Sequence, residues 1–197
     1  MANIDPGLAA TVASGLGLPA PEPSESLEDP EPSPALSQVG AEWPVDGRII
    51  ALAVDENSDL DTVAAVRGQI VDAGLVPLVL GPHGGTIGDG DNAVTVQRTY
   101  LTARSIEFDA ILLSSDVSRI GEGKLDPRVE TLLNEMYRHS KAIGGWGESA
   151  SALAAAGIDE SALGVVVDAD AEAALAAVTQ LLKTHRVWGR FEVPLTA

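Results

Sequence analysis

Two hydrophobic patterns alternate along the chain from about residue 47 onward. Short unbroken apolar runs have the length of strands buried on both faces, and they occupy residues 48–54, 75–80, 108–113 and 163–167. Between them, apolar residues recur every three or four positions, as on one face of a helix, at residues 61–73, 126–137 and 170–186. Strands that alternate with helices build a mainly parallel sheet with helices on both faces. The pattern therefore predicts an α/β fold with three layers.

Capping residues mark the ends of these helices. Gly74 follows the first helix, Asp126 and Pro127 open the second, and Asp170 opens the third. The first helix is predicted to face inward with Val63, Val66, Ile70 and Val71.

The stretch 141–158, KAIGGWGESASALAAAGI, joins a glycine-dense apolar run to an alanine-rich helical run. We expect a strand and a helix here, with a tight turn at Gly144 to Gly147. In open α/β sheets, chemistry and anion binding concentrate where a strand's carboxyl end feeds a helix. This turn is the first place to look for a functional site.

The glycine-rich loop 81–92, GPHGGTIGDGDN, lacks the Gly-Lys-Ser/Thr ending of a phosphate-binding loop. The alternating residues after it predict a hairpin with its turn at Gly88 to Asn92. Asp89 and Asp91 resemble the start of a calcium loop, but no Glu stands at the loop's last position. We therefore predict no metal site here.

The N-terminal residues read as a short helix, Asn3 to Leu18, with Asp5 as its cap and an apolar face formed by Leu8, Val12 and Leu16. Residues 19–46 are rich in proline and carry acids but no base, which is typical of an extended or disordered connector. The predicted division is a helix at 1–18, a connector at 19–46 and a folded domain at 47–197.

Composition narrows the function classes. The formal net charge is -17, and such a surface repels nucleic acid and anionic membranes. The chain has no cysteine, which excludes disulfides and thiolate nucleophiles. No apolar run is long enough to cross a membrane and no signal sequence opens the chain, so we expect a cytoplasmic protein.

Several segments together resemble a known family. The order of elements and the strand-to-helix turn resemble the flavodoxin-like domain shared by class I glutamine amidotransferases and intracellular proteases. The whole chain resembles the C-terminal end of a large-subunit haem catalase. This closer resemblance is carried by NIDPGLAATVASGLGLP, SPALS, VDGRIIALAV, EFDAILL and the late HRVWGRF. It implies the last helix of a catalase core, a connector and the appended domain, without the haem-binding barrel.

The resemblance also implies where a site would lie. Active members carry a cysteine on the strand-to-helix turn, a carboxylate after the first strand and a glycine-rich loop after the third strand. Laid over this chain, the cysteine position falls on Gly147 and the carboxylate position near Ser58, while the loop reads Ser114, Ser115, Asp116. These three departures argue against amidotransferase, protease or deglycase activity. Glu56 or Asp59 would supply a carboxylate, but with no thiol to activate.

Two alternatives remain at the turn. One is a small-ligand binding module in which Ser58, Ser114, Ser115 and Ser149 line a polar pocket, with Glu148 disfavouring anions. The other is a serine hydrolase, since Ser149, Asp168 and His185 follow the hydrolase order along the chain. Against the hydrolase, His185 is expected in the last turn of a helix, as a capping cation.

No cofactor is expected in this chain. The catalase family binds haem with a His, an Asn and a Tyr of its core. Tyr100 and Tyr137 lie in helical patterns here and are interpreted as packing residues, and His139 as a surface or capping residue. The late aromatic residues Trp188 and Phe191 pack either across a neighbouring surface or on their own domain.

The sequence and the resemblance together predict a non-catalytic accessory domain. In the parent protein, which removes hydrogen peroxide under oxidative stress, it would stabilise a homotetramer by contacting the catalase core. A chaperone-like holdase activity toward unfolding client proteins is a further expectation, because the negative surface would keep client complexes dispersed.

Overall fold

The computed structural model describes residues 1–24, 33, 35, 40–115, 117, 119, 120 and 124–191. Asp116 and much of the predicted connector lie outside these residues. The chain divides into two compact units, Met1–Gln38 and Val39–Ala197. The finer division at residues 18 and 46 stays a prediction.

Among the described residues of the N-terminal unit, helix α1 spans Pro6–Gly15 and is shorter than predicted at both ends. Asp5 caps it by accepting a hydrogen bond from the amide of Leu8 at 2.8 Å, as the sequence indicated. Ala9 and Ala13 are its buried residues. The residues predicted to share an apolar face are exposed: Leu8 by 52%, Val12 by 37% and Leu16 by 68%.

The C-terminal unit is a three-layer α/β sandwich. Its strands are β1 Ile49–Ala53, β2 Val76–Gly81, β3 Gly85–Ile87, β4 Val94–Val96, β5 Arg98–Thr99, β6 Ala110–Leu113, β7 Arg119–Ile120, β8 Lys124–Leu125, β9 Ala142–Trp146 and β10 Val165–Asp168. Its helices are α2 Leu60–Asp72, α3 Pro127–Arg138, α4 Ala150–Ala155 and α5 Ala171–Leu182. Within the described ranges, no helix combines the length and the apolar character needed to span a bilayer.

Six strands form one parallel sheet in the order β10-β9-β6-β1-β2-β5. The five longer strands follow the flavodoxin-like order, with the change of direction between β1 and β6. Helices α2 and α5 cover one face and α3 and α4 the other. In β1, Ile50 and Leu52 enter the first core while Ala51 and Ala53 enter the second. This explains the unbroken apolar run, because both faces of the strand are buried.

The predicted hairpin is confirmed, with β3 and β4 antiparallel around a turn that contains Gly90–Asn92. The inward assignment of Val71 was wrong, since its side chain is 56% exposed. Val63, Val66 and Ile70 follow the helical spacing, whereas the residue after Ile70 is rotated about 100° away from that face.

The tight turn predicted at Gly144 to Gly147 was also wrong in position. Gly144 and Gly145 lie inside β9, and the turn begins only at Gly147. A Cβ at Gly144 would stand 2.4 Å from the Val178 side chain, so this glycine permits close packing of α5 on the sheet.

Residues 187–191 contact their own domain, which is one of the two predicted packing surfaces, while Trp188 stays 39% and Phe191 52% exposed. The Arg190 guanidinium donates to the carbonyls of Leu163 (2.8 Å), Tyr137 (2.9 Å) and Lys141 (3.0 Å). It also lies 4.4 Å from the centroid of the Tyr137 ring, which makes a T-shaped contact with the ring of Phe191. One side chain thereby joins α3, the start of β9 and the loop before β10.

We expect Arg190→Met to lower the free energy of unfolding by about 3 kcal/mol, because three carbonyls lose a charged donor. Urea denaturation followed by circular dichroism measures this. Arg67→Met, at an exposed position of α2, is the matched control and should change stability by less than about 0.5 kcal/mol. Equal effects of the two changes would contradict the anchoring role of Arg190.

Candidate functional site

The carboxyl ends of β1 and β6 meet where the sheet order changes direction, the usual position of a site in this fold. Ser58 and Ser114 follow these strands, and both are buried. Their hydroxyl oxygens are 2.6 Å apart, and Ser58 Oγ also accepts a hydrogen bond from the amide of Asp55 at 3.0 Å. The loop after β1 is thus fastened directly to the end of β6.

Asp55 is a buried carboxylate that the sequence reasoning missed. It is the first charged residue after the apolar run of β1, and that position is a usable signal for a residue at a sheet edge. Its Oδ1 accepts a hydrogen bond from the amide of Asn57 at 2.9 Å, which tightens the loop that carries Ser58.

The turn Gly147–Ser149, called the elbow below, joins β9 to α4. Gly147 has φ +58°, in the left-handed region that favours glycine. A Cβ placed on Gly147 would stand 2.6 Å from Ser115 Oγ and 2.9 Å from Ser115 Cβ. The Ser115 hydroxyl also accepts a hydrogen bond from the amide of Glu148 at 3.2 Å. The side chain of Ser115 thus occupies the space into which a nucleophile at Gly147 would project.

Ser149 is buried against β9. A Cβ on Gly145 would lie 2.4 Å from its Oγ, so the glycine makes room for the serine side chain. The Ser149 hydroxyl has no hydrogen-bond partner within the described part of the chain. Glu148, by contrast, is exposed.

The five predicted binding residues therefore lie at one edge of the sheet. Ser58, Ser114 and Ser149 are buried, whereas Ser115 is half-buried and Glu148 exposed. Asp116, the third residue of the predicted loop, lies outside the described residues. Ligand binding at this edge stays a prediction.

Neither alternative carboxylate is free for chemistry at the elbow. Glu56 Oε1 lies 2.8 Å from His83 Nε2. The pKa of His83 is raised, mainly by its hydrogen bond with the Gly84 carbonyl and, to a smaller extent, by Glu56. Asp59 caps α2, and the hydroxyl of Thr62 is the main cause that lowers its pKa. Glu56 thus contacts the loop after β2, and Asp59 is engaged at the N-terminus of α2.

The hydrolase triad is not assembled. Ser149 follows the carboxyl end of β9, and Asp168 is the last residue of the neighbouring strand β10. The Asp168 carboxylate accepts a hydrogen bond from the amide of Asp170 at 2.9 Å. His185 lies at the opposite edge, where its Nδ1 is 2.8 Å from Arg48 Nη1, just before β1. In a parallel sheet all amino ends share one edge, so Ser149 and His185 are separated by the length of the strands.

The interpretation of His185 as a helix-capping cation was also wrong. Helix α5 ends at Leu182, and His185 lies beyond it with φ +65°. Its partner Arg48 can only donate hydrogen bonds, so the His185 ring acts as an acceptor.

Both tyrosines make contacts within the domain. Tyr100 lies in a turn after β5 rather than in the predicted helix, and its buried hydroxyl donates to the Val54 carbonyl. Tyr137 is covered by Arg190 and Phe191. His139 caps α3 and lies 3.0 Å from the Ser105 hydroxyl. Among the described residues, no three His, Cys, Asp or Glu side chains are grouped to hold a metal ion.

Comparison with known proteins agrees with the resemblance. The family model of the C-terminal domain found in long catalases matches residues 46–192. The chain is 36% identical over 166 residues to catalase HPII of Mycobacterium avium, covering 81% of this chain and 23% of the relative. It is 32% identical over 196 residues to catalase HPII of Pseudomonas putida, covering 96% of this chain and 27% of the relative.

Catalase HPII of Pseudomonas aeruginosa is 28% identical over 190 residues, which cover 95% of this chain and 27% of the relative. The chain thus spans about a quarter of the length of the curated relatives that it matches. The family model covers most of the chain, and the motifs and the parallel sandwich agree with it. This chain therefore belongs to the family of the C-terminal domain found in long catalases.

Proposed function

We propose that the chain is a non-catalytic accessory domain of a long catalase, which contacts the catalase core and stabilises the assembled enzyme. The observation that carries the proposal is the closed elbow. The resemblance implies a nucleophile at Gly147, and the Ser115 side chain fills the space that the nucleophile would need. Haem and peroxide chemistry would belong to the core of the parent protein.

The elbow keeps the backbone of a nucleophile turn without its chemistry. A strained strand-to-helix turn presents a side chain to helix amides, which lower a thiol pKa and stabilise an oxyanion. Gly147 retains the left-handed φ of such a turn but supplies no side chain. The hydroxyl pair Ser58 and Ser114 also replaces a charged group by a neutral contact at the predicted acid position.

The apolar face of α1 supports the contact with a catalase core. Leu8, Val12 and Leu16 are exposed. Val12 and Leu16 also line a groove of about 230 Å³, together with apolar residues that include Met1, Leu18 and Pro21. Burial of apolar surface gains about 25 cal/mol per Å², so this face is stabilised by an apolar partner. This chain does not span about three-quarters of each relative. In our proposal, that remaining part contains the catalase core that covers the apolar face.

A holdase role is the finer part of the proposal. The C-terminal unit exposes large apolar side chains, most of all Leu101 (64%) and Ile106 (82%). Leu101 also lines a groove of about 380 Å³ beside α3. Unfolding clients would attach to this apolar surface, and the net charge of -17 would keep the complexes dispersed.

Gly147→Cys tests the closed elbow. We expect the variant to lose about 1 to 3 kcal/mol of stability, because a side chain at positive φ meets Ser115, and to show no hydrolysis of a chromogenic ester. Adding Ser115→Gly should recover part of the loss in urea denaturation. Esterase activity in the native chain that disappears in Ser149→Ala would overturn the non-catalytic proposal.

The accessory role is tested in a long catalase that carries this domain. Deleting the region that matches residues 46–191 should leave kcat per haem unchanged while lowering the temperature at which the oligomer dissociates, since only supporting contacts are removed. Peroxide turnover and size-exclusion chromatography during heating measure the two effects. A large fall in kcat with an intact oligomer would place the domain in the catalytic cycle instead.

For the holdase role, light scattering of a heat-labile client during warming is measured with and without an equimolar amount of the chain. We expect less scattering with the native chain, and loss of that effect in Leu101→Lys/Ile106→Lys. The charge-matched control, Asn134→Lys/Gln180→Lys, alters exposed polar positions and should protect like the native chain. Unchanged scattering with the native chain would remove the holdase role but leave the accessory role standing.

A further inference from the structure

The segment Trp43–Val45 is held on the C-terminal unit, although the sequence placed it in an extended connector. The amide of Trp43 donates to the Lys183 carbonyl at 2.7 Å, and the Pro44 carbonyl accepts from Arg48 Nε at 3.1 Å. The side chain of Val45 packs against the core. All residues before Trp43 are joined to the domain through this segment.

His185 lies at the centre of these contacts. Its ring centroid is 6.2 Å from the ring centroid of Trp43 and 6.2 Å from that of Trp188. Its Nδ1 is 2.8 Å from Arg48 Nη1, and the same guanidinium binds the Pro44 carbonyl. We call Trp43, Arg48 and His185 the clamp.

The clamp requires an unprotonated Nδ1. A guanidinium has donors only, so the contact with Arg48 is a hydrogen bond only if Nδ1 accepts. Protonation of Nδ1 would make its N–H face an N–H of the Arg48 guanidinium. It would also place a second positive charge beside Arg48, whose side chain is only 14% exposed. The contact would then break rather than weaken.

The surrounding charges work in the same direction. Three cations face the ring: Arg48 at the start of β1, Arg186 after α5 and Lys141 at the start of β9. Among the described residues, Asp109 before β6 is the acid that opposes them. Burial, then Arg186 and Arg48, lowers the pKa of His185, while Asp109 opposes the shift. Asp109 is itself shared, with Oδ1 3.6 Å from Arg48 and 3.9 Å from Arg186.

We propose that His185 is an acid-sensitive latch that holds Trp43–Val45 on the domain when neutral and releases this segment when its ring is protonated. The sign follows from the linkage between protonation and folding. With its pKa depressed from 6.5, His185 contributes its full stabilisation above that value and loses it as the pH falls through the folded pKa. Acidification therefore frees Trp43–Val45 from the rest of the C-terminal unit.

Amide hydrogen exchange of Trp43, measured by NMR on the full chain, tests the latch. Between about pH 7.5 and about pH 5, the protection factor of Trp43 should fall by about tenfold or more in the native chain. His185→Asn should abolish this fall, because Asn tolerates a positive φ, keeps an acceptor oxygen and does not titrate. His83→Asn, an exposed histidine of the loop after β2, is the matched control and should behave like the native chain.

Three results would overturn the latch. The first is the same fall in His185→Asn as in the native chain, or no fall in either. The second is an equal fall in the protection factors of Ile50 and Leu112 in the core, because that would indicate unfolding of the whole domain. The third needs no variant: a ¹⁵N chemical shift that shows a protonated Nδ1 of His185 at neutral pH.

Discussion

The sandwich depends on the close approach that β9 allows on both of its faces. A Cβ on Gly144 would meet Val178 of α5 at 2.4 Å and Leu112 of β6 at 2.9 Å, while one on Gly145 would meet Ser149 at 2.4 Å. Because interiors pack densely, even one added methyl group at these positions would push a helix off the sheet. The two glycines thus fix how near α5 and the elbow lie to the sheet.

The same close approach explains the state of the elbow. Ser149 packs against Gly145, so the hydroxyl of the elbow is buried. Because Gly147 has no side chain, Ser115 of the neighbouring loop fills the space beside it. On the other side, Ser58 and Ser114 fasten two loops to each other. Residues at positions where the fold elsewhere places chemistry serve here as contacts between loops.

The fold was largely predictable because its signals are local. Strands buried on both faces leave unbroken apolar runs, and caps such as Asp126 and Asp170 accept amides within three residues. Val71 failed because one residue of helical rotation separates a buried position from an exposed one. The glycines of β9 were mistaken for a turn because glycine also serves close packing, and the sequence does not distinguish the two uses.

The site was predictable only in part, because its decisive contacts are distant in sequence. Ser58 and Ser114 are 56 positions apart, and Arg48 and His185 are 137 apart. From the local sequence alone, His185 was interpreted as a cation at the end of a helix. Its contact with Arg48, a group that only donates hydrogen bonds, requires a neutral ring instead. A parallel sheet collects such distant residues at its two edges, and here the edges differ. The carboxyl edge joins two loops through the Ser58–Ser114 hydroxyl pair and carries His83 beside a carboxylate, whereas the amino edge holds His185 among cations. Protonation therefore strengthens a histidine contact at the carboxyl edge and opposes one at the amino edge.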